Sequence, residues 1–248
     1  MGFILNIVTV VIGTALGVAL GNRMPERVRE TVLNGLGLAT IGYSALSIVD
    51  SMANQQNGAV KFLVILFSIV LGGIAGEMLG LDAALTRFGG WLEREFTRRI
   101  GGTSTSDSAA RFVRGYVSAS LLFCVGPMTF LGSIQDGLRG DMSLIAIKSA
   151  LDLFAALAYS ASLGIGVGFS VISIFLIQGG LTAGASAAQG IFSPTMVAIL
   201  SATGALLVLG IGLSLLEIKK IRLANFLPAL VFAPLGVVAL HLAGVSGF

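Results

Sequence analysis

Residues 35–48 read GLGLATIGYSALSI, and residues 205–218 read ALLVLGIGLSLLEI, so six positions are identical when the two stretches are aligned without gaps. The following apolar segments match as well, since the pattern FLxxLxxxxLG at 62–72 recurs at 226–236. If the two copies lie five membrane spans apart, the second is inverted relative to the first, as in many transporters. The sequence therefore predicts an inverted-topology repeat; the alternative is chance similarity between segments rich in Leu and Gly.

The composition of the chain is that of a membrane protein. Of its 248 residues, 55 % are apolar and only 11 % are charged, with a mean hydropathy of +0.96. Soluble domains carry about 25 % charged residues, so a soluble protein is excluded. A single cysteine, Cys124, and a single histidine, His241, exclude an internal disulfide and argue against a multi-ligand zinc or copper site. We expect no cofactor and no nucleic-acid partner.

A membrane span needs about 20 apolar residues, and the chain contains eight such segments. We predict spans at 3–21, 31–50, 60–80, 112–134, 143–163, 168–188, 194–216 and 224–243. The long apolar tract from 143 to 188 is divided at the glycines of LGIGVG, residues 163–168. The chain is then one membrane domain: a first repeat over 1–80, a polar central part over 111–167 and a second repeat over 168–248.

The basic residues predict the orientation, because Lys and Arg stay in the cytoplasm. Only Lys61 and Arg139 fall on one side of the predicted spans, and Lys148 lies inside a span. The other side carries twelve: Arg23, Arg27, Arg29, Arg87, Arg94, Arg98, Arg99, Arg111, Arg114, Lys219, Lys220 and Arg222. This asymmetry predicts that both termini lie outside.

Residues 81–110 differ from the spans. Leucine, phenylalanine and isoleucine recur at helical spacing over 81–100, and arginines lie between them. This pattern predicts an amphipathic helix on the cytoplasmic face, with its apolar stripe in lipid and its arginines at the headgroups. We expect Gly89 and Gly90 to weaken it in the middle, and residues 101–108 to form a linker.

Lys148 and Asp152 are the leading candidates for a functional site. They are four residues apart in the fifth predicted span, so they share one helix face near the middle of the membrane. A charge at the centre of a membrane helix costs at least about 2.5 kcal/mol, and such residues mark ion or substrate pathways by default. The alternative is a structural pair in which Lys148 extends towards the membrane surface.

Further polar residues surround this pair in the sequence. Gly126 and Pro127 interrupt the fourth span, where a broken helix would expose backbone groups to a substrate, although a simple kink is equally consistent. The other predicted site residues are Gln135, Asp136, Asp141 and Gln178. Arg139 and Asp141 also fit an ordinary solvated turn. We place Asn6, in the first turn of span 1, near the membrane surface.

Glycines repeat every four residues on two spans. The first set is at positions 13, 17 and 21, and the second is at 72, 76 and 80. Small residues at this spacing allow helices to approach closely, either within one chain or across a homodimer. Besides lipids and a small ion or solute, we expect a homodimer partner.

The polar stretch resembles a known family. IQDGLRGD at 134–141, KSALD at 148–152 and SLGIGV at 162–167 resemble the bacterial domain-of-unknown-function 554 family of multi-spanning inner-membrane proteins, with support from 25–27 and 225–230. The resemblance covers essentially the whole chain. It implies a bacterial inner-membrane location and supplies no substrate. The residues that match the polar string are Gln135, Asp136, Gly137, Asp141, Lys148 and Asp152.

Transport is the function that these features favour. Asp152 would bind a cation or proton, Lys148 would be its competing counter-charge, and a gradient would supply the energy, because no nucleotide-binding motif is present. A channel or a scaffold without transport remains an alternative. We expect no enzyme activity, because the acid–base constellations of catalysis are missing.

Overall fold

The described part of the chain is almost entirely helical. The structure, a computed structural model, describes residues 2–21, 25–53, 58–99, 106–124, 127–185 and 193–245, in which there is no β-strand. The helices are α1 Gly2–Gly21, α2 Glu26–Met52, α3 Gly58–Leu79, α4 Leu81–Arg99, α5 Ser106–Cys124, α6 Pro127–Arg139, α7 Ser143–Leu163, α8 Ile165–Ala183, α9 Pro194–Leu215 and α10 Ala229–Leu242. A 3-10 turn at Leu223–Phe226 precedes α10.

The described residues contain seven helices that are long and apolar enough to cross a membrane: α1, α2, α3, α7, α8, α9 and α10 with its preceding 3-10 turn. They coincide with seven of the eight predicted spans. The remaining predicted span, 112–134, is the pair α5 and α6, between which the chain bends by 73°. Counting that pair as one span gives eight. The prediction of an all-α, multi-pass membrane protein is confirmed.

Two helix boundaries follow from backbone chemistry. Pro127 occupies the first position of α6, where its missing N–H costs no helical hydrogen bond; Gly126 lies outside the described residues. Gly164 separates α7 from α8 with φ = 81°, a conformation that favours glycine. The predicted division of the tract 143–188 is thus confirmed, although α8 begins at Ile165 rather than at 168.

The contacts divide the chain into two compact units. The first unit contains α1, α5, α6, α7, α8 and most of α4. In it, α1 lies along α7, because Gly13 and Gly17 face the backbone carbonyls of Leu153 and Leu157 without a side chain between them. By packing, α1 therefore groups with α7, whereas the sequence repeat groups it with spans 2 and 3.

The second unit contains α3, α9, α10 and the part of α2 from Gly37 onwards. Gly72 faces Ala229 and Gly236 faces Val64 where α3 packs on α10, and Gly37 faces Gly212 where α2 packs on α9. The glycines at 13, 17, 21, 72 and 76 thus pack within one chain, whereas a methyl group at Gly80 meets no described atom within 4 Å; a homodimer stays a prediction.

Helix α4 forms as predicted, but its apolar stripe is turned largely towards the protein. It continues through Gly89 and Gly90 without a break. Leu92 is buried, and the Phe96 ring packs edge-on against Phe169 with 5.4 Å between centroids. Phe88 and Trp91 are exposed and stacked on each other. The other described residues of the stripe, Leu81, Leu85, Leu92 and Phe96, are buried or half-buried.

Candidate functional site

Lys148 and Asp152 form an ion pair inside the first unit. Lys148 Nζ donates a hydrogen bond to Asp152 Oδ2 along one face of α7, as the four-residue spacing predicts. Their side chains are only 8 % and 10 % exposed. Two charges at this depth are expensive to bury singly, and pairing removes most of that cost. The pair is the centre of a site that we call the polar cluster: Asn6, Lys148, Asp152, Gln178 and the backbone carbonyl of Phe123.

The structure adds Asn6 to this cluster, a residue that the sequence did not single out for the site. It is fully buried, it lies beside Asp152, and its side chain donates a hydrogen bond to Gln178 Oε1 over 3.2 Å. The reason is visible in the sequence: Asn6 shares a helix face with Gly13 and Gly17, the glycines that bring α1 against α7. A polar residue on such a stripe must face the partner helix.

Gln178 enters the cluster from α8. It lies in a π-helical turn, Phe175–Gly179, a local distortion that recurs at functional sites. Its Nε2 donates to the carbonyl of Phe123 over 3.5 Å, and its side chain is fully buried. Gln178 thus connects α1 to the end of α5.

The break between α5 and α6 supplies the backbone carbonyl. Because α5 ends at Cys124, the carbonyl of Phe123 has no helical N–H four residues on, and it accepts from Thr129 Oγ1 over 3.2 Å as well as from Gln178. The Phe123 ring lies 5.9 Å from Lys148 Nζ, within reach of a cation–π interaction. One residue therefore offers an oxygen and an aromatic face to the same site.

One acceptor in the cluster is unused. Asn6 Oδ1 is buried and has no hydrogen-bond partner among the residues that the structure describes. A buried polar atom without a partner costs about 1–3 kcal/mol. Together with the Asp152 carboxylate and the Phe123 carbonyl, it presents oxygen atoms of the kind that bind hard cations or hydronium. The ammonium of Lys148 lies among these oxygens, and a cation-binding role for the cluster stays a prediction.

Asp136 and its neighbour Gln135 lie on α6. Asp136 is buried, and its Oδ2 accepts the backbone N–H of Gly2 over 2.7 Å. A carboxylate there satisfies an N–H at the start of α1 and interacts favourably with the helix dipole. Gln135 is half-buried. The structure thus gives Asp136 a role in positioning α1, and hence Asn6; an ion-binding role for either residue stays a prediction.

Asp141 sits in the turn between α6 and α7. It is exposed and accepts hydrogen bonds from the hydroxyl and the backbone N–H of Ser143, at 2.6 and 3.0 Å. These bonds, helped by Arg139, hold the pKa of Asp141 below its usual value. Asp141 is therefore a negative charge at the start of α7, in the geometry of the solvated turn.

These features define a multi-pass α-helical membrane protein with a buried, charged polar cluster. The chain belongs to the DUF554 family, described as proteins of unknown function, whose sequence profile matches residues 1–238. The predicted family resemblance is thereby confirmed.

Two curated relatives cover nearly the whole chain. The uncharacterized protein YqgA of Escherichia coli (strain K12) is 30 % identical over 94 % of both chains. The uncharacterized membrane protein YdfK of Bacillus subtilis (strain 168) is 23 % identical over 98 % of both. No solved structure matches the chain.

Proposed function

We propose that this protein transports a small cation, alone or with a small solute, across the bacterial inner membrane, and that Asp152 is the binding group. The observation that carries the proposal is the unpartnered Asn6 Oδ1 beside the Lys148–Asp152 pair. A purely structural ion pair gains from a fully satisfied surrounding. A transport site needs an acceptor that is left open for a ligand.

In this proposal, Lys148 competes with the transported cation for Asp152. With no substrate bound, its ammonium neutralises Asp152. An incoming cation takes its place on Asp152 and Asn6 Oδ1, and the displaced ammonium moves onto the face of the Phe123 ring, 5.9 Å away. Return of Lys148 expels the cation. In both halves of the cycle a positive charge pairs with Asp152, and while the cation is bound the Lys148 ammonium is a second positive charge that the Phe123 ring stabilises.

Several features support a gradient-driven transporter over a channel. The broken helix α5–α6 places in the cluster a backbone carbonyl that accepts from side chains instead of a helical N–H, as transporters do at their binding sites. Gly72 and Gly236, equivalent in the sequence repeat, both lie in the α3–α10 contact, which supports an inverted repeat. The Lys148 ammonium also occupies the Asp152 carboxylate, which water would hydrate in an open pore. The excess of Lys and Arg supports both termini being outside.

The deciding experiment is ion flux in proteoliposomes under imposed H⁺, Na⁺ and K⁺ gradients, comparing the wild type with Asp152→Asn. Charge movement reports electrogenic transport, and an internal pH dye with isotope uptake reports electroneutral exchange. Asp107→Asn, at an exposed aspartate in the first turn of α5, is the matched control. We expect saturable flux in the wild type and the control, and its loss in Asp152→Asn. Equal flux in all three proteins would refute the site.

A further inference from the structure

A line of hydroxyl groups runs between α5 and α8, outside the polar cluster. The Tyr116 hydroxyl lies 3.3 Å from Ser173 Oγ, which in turn donates to Ser120 Oγ over 2.9 Å. Tyr116 is buried, whereas Ser120 and Ser173 are half-buried. We call these three residues the hydroxyl line.

The hydroxyl line leads to the polar cluster along both helices. Tyr116, Ser120 and Phe123 share one face of α5 at spacings of four and three residues. Ser120 is therefore only about 4.5 Å along the helix from Phe123, whose carbonyl belongs to the cluster. On α8, Ser173 lies in the turn before the π-helical segment that holds Gln178.

The other end of the line points to the arginine-rich side of the chain. Arg111 and Arg114 lie on the first turns of α5, just before Tyr116. The Tyr116 ring contacts Phe88 of α4 at 6.2 Å between centroids, and Phe88 is 41 % exposed. The hydroxyl line therefore lies between the exposed Phe88 and the end of α5 that carries the Phe123 carbonyl.

The bonding of these hydroxyls differs from that of three buried serines elsewhere in the described residues. Ser68, Ser149 and Ser160 each donate to the carbonyl four residues earlier in their own helix, which satisfies them locally. The hydroxyl line instead bonds between helices. Each of its oxygens keeps acceptor capacity, which a water molecule or a cation passing between α5 and α8 can use.

We infer that the hydroxyl line is the route by which a small monovalent cation, hydronium included, passes between the arginine-rich side and Asp152. The inference rests on the proposed function and adds the residues that line one half of the path. Oxygen atoms replace part of the hydration of the ion as it leaves the surface, and Phe88 covers the entrance at Tyr116. The line governs the rate of passage, whereas Asp152 governs binding.

The test separates the rate of cation passage from cation binding. It compares the wild type with the double variant Ser120→Ala/Ser173→Ala, and Ser68→Ala is the control. Flux of H⁺, Na⁺ and K⁺ is measured in proteoliposomes, and binding is measured as thermal stabilisation of the purified protein by the transported cation. We expect flux to fall about tenfold with stabilisation unchanged. The ion whose flux falls identifies the cation. Asp152→Asn should lose both signals.

Unchanged flux in the double variant, with flux still lost in Asp152→Asn, would overturn the route and leave the proposed function standing. Accessibility gives a second measure that needs no transport. Ser173→Cys, with the sole native cysteine Cys124 replaced by Ala, should react with a cationic, membrane-impermeant thiol reagent from the arginine-rich side. Failure to react from that side would also overturn the route.

Discussion

Each of the two units brings together a carboxylate, a basic residue and an asparagine, but in opposite settings. The polar cluster uses Asp152, Lys148 and Asn6; what we call the surface set, in the second unit, uses Glu77, Arg222 and Asn225. The side chains of the buried ion pair are 8 % and 10 % exposed, and those of the surface pair are 66 % and 53 % exposed. The same chemistry therefore operates at two very different costs of desolvation.

In the surface set, each carboxylate and amide oxygen accepts a hydrogen bond. Glu77 accepts from Arg222 over 2.7 Å and from Asn225 over 2.6 Å, and Asn225 Oδ1 accepts the backbone N–H of Asp82 over 2.7 Å. It ties the end of α3 and the start of α4 to the turn before α10. In the polar cluster, by contrast, Asn6 Oδ1 is left open. The comparison assigns structure to the saturated set and function to the incomplete one.

The largest effect should come from removing one charge of the buried pair. Lys148→Met leaves the Asp152 carboxylate buried without a counter-charge, and we expect a loss of about 3–5 kcal/mol in the free energy of unfolding. Thermal unfolding in detergent measures it. The double variant Lys148→Met/Asp152→Leu should recover to within about 1 kcal/mol of the wild type, because apolar pairs of similar size often replace buried ion pairs neutrally.

Transport separates this result from a scaffold role. If the pair serves only structure, the stable double variant should retain every flux of the wild type. We expect it to be folded and inactive. A double variant that is folded and still transports would break the assignment of function to the polar cluster.

Substitution of the glycines at the helix contacts of the two sets should give the next largest effects. A methyl group at Gly17 would overlap the carbonyl of Leu157, and one at Gly76 would overlap the carbonyl of Asn225. We expect Gly17→Ala and Gly76→Ala each to cost about 1–3 kcal/mol of stability. Only Gly17→Ala should also abolish flux, since it moves α1 and Asn6 away from α7.

Gly42→Ala is the control for both glycine variants. A methyl group at Gly42 meets nothing within 4 Å, so stability should be unchanged or rise by up to about 1 kcal/mol from helix propensity. Equal flux in Gly17→Ala and Gly76→Ala would mean that transport does not depend more on the packing of the first unit than on that of the second.

Much of the fold was predictable from the sequence, because lipid imposes length and polarity on each span. Lys148 and Asp152 stood out for the same reason. Asn6 did not, because a polar residue near a span end is equally compatible with the membrane surface. The sequence also could not supply the carbonyl of Phe123, since backbone groups carry no residue identity and become available only where a helix ends.

A smaller effect should distinguish the two asparagines. Asn6→Ala removes an open acceptor of the cation site, and we expect the KM for the transported cation to rise about tenfold, equivalent to about 1.4 kcal/mol. Asn225→Ala removes two satisfied hydrogen bonds in the surface set. It should lower stability by about 1–3 kcal/mol with KM unchanged. A raised KM in Asn225→Ala together with an unchanged KM in Asn6→Ala would assign cation binding to the surface set instead of the polar cluster.

The smallest effect should come from the exposed ion pair. Glu77→Gln keeps an acceptor for Asn225 and loses only the charge interaction with Arg222. Because both side chains are more than half exposed, water and salt already screen that interaction, and we expect a loss of about 0.2–1 kcal/mol that vanishes at high ionic strength. Unfolding at low and high salt measures it, with Arg222→Gln expected to match. A salt-independent loss as large as that of Lys148→Met would mean that burial does not separate the two sets.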